Sequence, residues 1–141
     1  MKDVAKNGNA MAAGPWLWLL GGFAACVAVI GLDYWRIPYA RIDLPLPLMR
    51  GLNPLMPLLA ALLARWQGGV RVRWAVPAMA LSMPAVVGAR VVVDVMADPT
   101  AHTLWPFEIA LALLVGFPCA IVGAMVGSWL AFRALRRKSG G

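Results

Sequence analysis

Apolar residues along this chain fall in four long runs, and the polar ones collect between them. A bilayer core about 30 Å thick takes about 20 residues of helix at 1.5 Å each. The run from Pro15 to Leu32 meets that length without a charge, and Leu46 to Trp66, Trp74 to Met96 and Pro106 to Phe132 follow it. The runs are continuously apolar, without the alternation of a membrane barrel strand. The pattern predicts an all-α membrane domain of four spans, 15–32, 46–66, 74–96 and 106–132. A tail of residues 1–13 precedes them and a basic tail of residues 133–141 follows.

Proline modifies two of the spans. Pro45, Pro47, Pro54 and Pro57 crowd the start of the second, and each removes a donor and collides with the turn before it. This span is expected to be kinked or partly extended, with regular helix only from near Asn53. Pro118 divides the fourth run, where one kinked helix fits the length better than two short ones.

Composition agrees with the pattern. The 141 residues are 62% hydrophobic and 13% charged, against about 25% charged in soluble domains. The net charge of +7 comes from residues that stand singly or flank apolar runs, so it reads as membrane topology and not as a nucleic-acid surface. Of the 13 Lys and Arg, nine fall on one side of the four-span layout: Lys2, Lys6, Arg65, Arg71, Arg73, Arg133, Arg136, Arg137 and Lys138. Arg36, Arg41, Arg50 and Arg90 fall on the other, together with every acidic residue except Asp3. The positive-inside rule makes the first side cytoplasmic and places both termini there, in a bacterial-type inner membrane. Tyr34, Trp35, Tyr39 and Trp105 mark the outer boundary, and Trp16, Trp18, Trp66, Trp74 and Trp129 the inner one.

The N-terminus allows a second expectation. Lys2 and Lys6 followed by an apolar run ending in Phe23-Ala24-Ala25-Cys26 resemble a bacterial lipoprotein signal. Phe23 stands where leucine is preferred, and the apolar Val27-Ala28-Val29-Ile30 stands where a polar start is expected, so a retained span is the better reading. Cys26 and Cys119 lie inside apolar runs without CxxC spacing and behave as small hydrophobes.

Helices in lipid associate through small residues that let backbones approach. Gly116, Gly123 and Gly127 share one face of the fourth span, the last two as a GxxxG, and Gly21, Ala25 and Ala28 offer a similar face on the first. Packing of the first span on the fourth is expected, and docking onto another subunit is the alternative.

The densest polar stretch is "RVVVDVMADPTAHTLWPFE", with Arg90, Asp94, Asp98, the single histidine His102, and Glu108. Arg90 lies about 9 Å below the outer interface, within snorkelling range, with Asp94 at i+4 to pair with it. A metal site on Asp98, His102 and Glu108 would need helical spacing that Pro99 interrupts. Asp98 instead suits a turn that accepts backbone N–H groups, and Glu108 suits the first turn of a helix that Pro106 opens. Neither a metal nor a cofactor is expected.

Three functions fit. No catalytic set is present, neither a Ser/His/Asp order nor HExxH, a P-loop or CxxC, which favours a non-enzymatic accessory or assembly subunit of a larger membrane complex. Its partners are then the bilayer and another membrane protein or a second copy. The second is a small transporter or channel component. Four spans in a short chain resemble the small multidrug resistance exporters, but the glutamate those carry in the first span is missing here. The third is an enzyme acting on a lipid or quinone at the outer face, with His102 and Asp98 as acid–base pair and Arg90 as anion binder.

Overall fold

A computed structural model of the chain describes residues 4–38, 46–100 and 103–139. Six helices make up its regular structure: α1 (Val4–Tyr34), α2 (Leu46–Met49), α3 (Leu55–Trp66), α4 (Val72–Ala80), α5 (Ser82–Ala97) and α6 (Trp105–Ser139). No strand occurs among the described residues. Three segments, Gly14–Tyr34, Val72–Ala97 and Trp105–Arg137, are long and apolar enough to cross a membrane. At 12 residues, α3 extends only about 18 Å.

The second apolar run thus divides as its prolines direct. Residues 46–49 form one turn of helix, Gly51 takes a left-handed φ of 59°, and α3 starts immediately after Pro54. Asn53, 1% exposed, secures this break. Its Nδ2 donates to the Pro47 carbonyl at 2.9 Å and to Asp33 Oδ2 at 2.9 Å. The irregular backbone is therefore tied both to itself and to the end of α1.

The third run is interrupted once, at Leu81 between α4 and α5. Pro84 has no N–H to offer the Ala80 carbonyl four residues earlier, and its ring pushes that carbonyl away. The displaced oxygen is met by Gly116 of α6, where an added Cβ would stand only 2.6 Å from it. Ser82 restrains the same turn, its hydroxyl donating to the Met79 carbonyl at 2.6 Å. Pro118 leaves α6 continuous.

Contacts between helices fix their directions. Trp18 lies against Gly68, and Gly22 against Ala60, so α1 and α3 are antiparallel. Leu58 faces Gly123 and Leu62 faces Gly127, so α3 runs parallel to α6. Gly116 meets Ala80 and Gly88 meets Ile109, so the α4–α5 unit opposes α6. Asp98 and Asn53 mark one end of the bundle, hereafter the upper end, and Gly68 with the last turns of α6 marks the lower.

Burial ranks the segments. More than half of the Val72–Ala97 window is buried (56%), a third of the α6 window (33%) and a tenth of the α1 window (11%). The α4–α5 unit is therefore the centre, α3 and α6 pack as one pair against it, and α1 lies at the edge. Cys26, Ile30 and Tyr34 of α1 meet Met79, Met83, Val86 and Val87 in the core.

The helix pairing differs from the expected one. The face formed by Gly116, Ala120, Gly123, Ala124 and Gly127 is buried, and it receives α3 and the α4–α5 break instead of α1. On α1 the glycine at a close approach is Gly22, whereas Gly21 has nothing within 4 Å and Ala25 and Ala28 are exposed. Helical spacing identifies a small-residue face but not the helix that will occupy it. The α6 glycines let the backbone of α3 approach at Leu58 and Leu62.

Candidate functional site: the upper polar corner

Arg90 is 8% exposed on the inner face of α5. Its guanidinium fans out to three acceptors. Nε donates to Asp94 Oδ2 at 3.2 Å, Nη1 to the Tyr34 carbonyl at 2.7 Å and Nη2 to the Ile37 carbonyl at 2.6 Å. Tyr34 is the last residue of α1, where backbone carbonyls have no helical partner and the helix dipole is negative. Arg90 thus caps the end of α1 from another helix. The Tyr34 ring lies below it, 5.1 Å from the guanidinium carbon to the ring centroid, a favourable cation–π placement.

The i+4 spacing thus brings Arg90 and Asp94 together, as an ion pair with Asp94 on the solvent side of Arg90. The cavity beside them, lined by Trp35, Arg90, Val93 and Asp94, holds about 90 Å³. At roughly 30 Å³ per water it admits two or three waters, whereas small-molecule sites run from roughly 300 Å³ upward. With its three nitrogens engaged by protein, Arg90 serves as a fastening of α1 to α5 more readily than as an anion receptor.

The other members of the stretch point elsewhere. Asp98 closes α5 through its N–H on the Asp94 carbonyl at 2.8 Å. It adopts the extended conformation, φ −141° and ψ 105°, that a following proline favours. Its Oδ1 accepts the Thr100 hydroxyl at 2.7 Å and the Thr100 N–H at 2.9 Å. Those two bonds, the hydroxyl's first, hold the exposed carboxyl below its usual pKa. Glu108 is buried in the first turn of α6, its N–H on the Leu104 carbonyl at 3.2 Å. His102 lies outside the described residues. Among the described residues no three His, Cys, Asp or Glu side chains converge as metal ligands would.

Two polar contacts escape a reading by helical spacing. One is Asn53 with Asp33, whose only sequence signal is a lone amide at the head of an apolar run. The other lies at the lower end, where Arg65 Nε donates to Ser128 Oγ at 2.9 Å and that hydroxyl donates to the Ala124 carbonyl at 2.8 Å.

Larger open spaces flank α1. A groove of about 570 Å³ lies between α1 and α5, with Ala28, Gly31, Trp35 and Ala89 among its lining residues. Another of about 500 Å³ lies between α1 and α3, with Gly21, Gly22, Ala25 and Ala60. Both are almost wholly apolar. Compared with known protein families, curated proteins and solved structures, the chain matches none.

Proposed function

We propose that this chain is a multi-pass protein of a bacterial-type inner membrane, acting as a non-enzymatic accessory or assembly subunit of a larger membrane complex. It crosses four times, the second time through the composite segment 46–66, with both termini cytoplasmic. The charge distribution supports that orientation. Arg65, Arg71, Arg73, Arg133, Arg136 and Arg137 gather at the lower end, and the described carboxylates Asp33, Asp94, Asp98 and Glu108 lie at the upper end.

The observation that carries the docking role is the contrast between the two small-residue faces. On α6 that face is filled by the chain itself. On α1 it is open, with Gly21 meeting nothing within 4 Å, Ala25 and Ala28 exposed and apolar grooves on either side. Small residues on a membrane helix permit close approach of a second helix, and the partner's contribution is a transmembrane helix seated along α1. A transport pathway is less well supported, because among the described residues the buried charged side chains, Arg90 and Glu108, both lie at the upper end, and Arg90 is bonded to α1 and Asp94.

Extraction in mild detergent tests this reading. Wild-type protein should emerge with one partner in fixed stoichiometry, and Gly21→Leu with Ala25→Leu should release that partner while leaving the yield and thermal midpoint of the chain unchanged. A solitary, monodisperse wild-type protein would refute the docking role.

A further inference from the structure

The lower end carries a second polar feature that the docking role does not use. A cavity of about 240 Å³ opens between the end of α3 and the last turns of α6, lined by Arg65, Trp66, Gly69, Ala131, Ala134 and Leu135. Its shape follows from the close of α3. Gly69 takes a left-handed φ of 61°, and the Val70 N–H turns back to the Ala64 carbonyl at 3.0 Å, a glycine-terminated cap that swings the chain away from α6. The space left between the helices is apolar on the α6 side and cationic on the α3 side.

Arg65 is held and directed here. Its Nε is fixed on Ser128, the side chain lines the cavity, and no described carboxylate pairs with it. Arg71, Arg73, Arg133, Arg136 and Arg137 lie at this end of the bundle. Trp66 and Trp129 are exposed at the same level. The Arg133 guanidinium carbon lies 3.9 Å from the Trp129 ring centroid and that of Arg136 4.5 Å from the Phe132 centroid, so these arginines lie back along α6.

We infer that this cavity is a binding site for an anionic phospholipid, its phosphate on the Nη groups of Arg65 and its glycerol and upper acyl carbons against Ala131, Ala134 and Leu135. Three features favour a lipid over another anion. The cavity lies between two apolar helices, its wall is apolar beyond the first polar group, and a fixed guanidinium matches a phosphate diester in two directions. Basic pockets between membrane helices on the cytoplasmic side hold acidic headgroups in this way.

The test uses the full chain purified in a neutral detergent. Phosphatidylglycerol, phosphatidylcholine or inorganic phosphate is added at matched concentration, and the thermal midpoint and the lipid retained in native mass spectrometry are read. Phosphatidylglycerol should raise the midpoint and remain bound at one molecule per chain, while phosphatidylcholine and phosphate should do neither. Arg65→Gln should weaken retention about tenfold, the loss of one charge-assisted contact. Arg65→Lys, which keeps a charge and protects folding, should still weaken it several-fold. Arg71→Gln with Arg137→Gln should leave it within a factor of two. Equal effects of the two lipids, an equal effect of free phosphate, or retention unchanged in Arg65→Lys would each overturn the site. None of these readouts depends on a protein partner, so they stand apart from the test of docking.

Discussion

Arg90→Ala is expected to destabilise the protein by about 3–5 kcal/mol, chiefly because two carbonyls at the end of α1 lose their donor at about 1–3 kcal/mol each. The loss has two parts. Asp94 keeps some access to water and loses only its pairing with Arg90, at modest expense, about 1 kcal/mol or less. The Tyr34 and Ile37 carbonyls lose donors at 2.7 and 2.6 Å at the end of α1, in a place where water replaces them poorly. Asp94→Ala should therefore be mild, because Arg90 retains both carbonyls. The double variant should recover only the small Asp94 part and remain close to Arg90→Ala. Arg90→Lys should also be poor, since one ammonium cannot reach three acceptors set around a planar fork. Thermal midpoints of the wild type and the four variants in one detergent decide the matter. Full restoration in the double variant would mean that the ion pair alone matters and that the cap on α1 does not.

Gly123→Leu is expected to be at least as damaging, with a loss of about 3 kcal/mol or more and a matching fall in membrane abundance. A Cβ at Gly123 would run into the backbone carbonyl of Leu58, and at Gly127 it would stand 2.5 Å from the carbonyl oxygen of Leu62. Backbone cannot rotate aside as a side chain can, so α3 and α6 would have to separate along their whole contact. Gly22→Ala provides the contrast. Its Cβ would meet the terminal methyl carbon of Met79 at 2.8 Å, the far end of a flexible chain that can swing away, and the change should be close to neutral. If Gly123→Leu folds as well as Gly22→Ala, the close packing of α3 on α6 is not present in the membrane.

What could be read from the chain alone divides along a physical line. Relations within one helix or one turn are local: Arg90 with Asp94 at i+4, the extended Asp98 before Pro99, and Glu108 in a first turn opened by Pro106 all depend on a few consecutive residues. The break near Asn53 is similarly local, because proline acts on its own preceding turn, and the break at Leu81, which the run 74–96 did not suggest, follows from Pro84 by the same rule. Pairing between helices is not local. Nothing near Arg90 announces that its chief acceptors are carbonyls 56 and 53 residues away, and nothing near Gly123 tells α3 from α1. Tyr34 shows the same limit. Its place between span and loop suggests an interfacial aromatic, yet the Arg90 bond to its own carbonyl draws the end of α1 inward and buries its ring completely.

The account rests first on the second crossing, since segment 46–66 contains only a short helix and must still carry the chain from one face to the other. Single cysteines placed by Arg36→Cys, Gln67→Cys, Thr100→Cys and Arg137→Cys, in a Cys26→Ala, Cys119→Ala background, can be labelled in intact cells with a membrane-impermeant thiol reagent. Labelling at positions 36 and 100 with protection at 67 and 137 is the expected result. Labelling of positions 36 and 67 from the same side would show that the segment does not cross, and would contradict the four-span bundle.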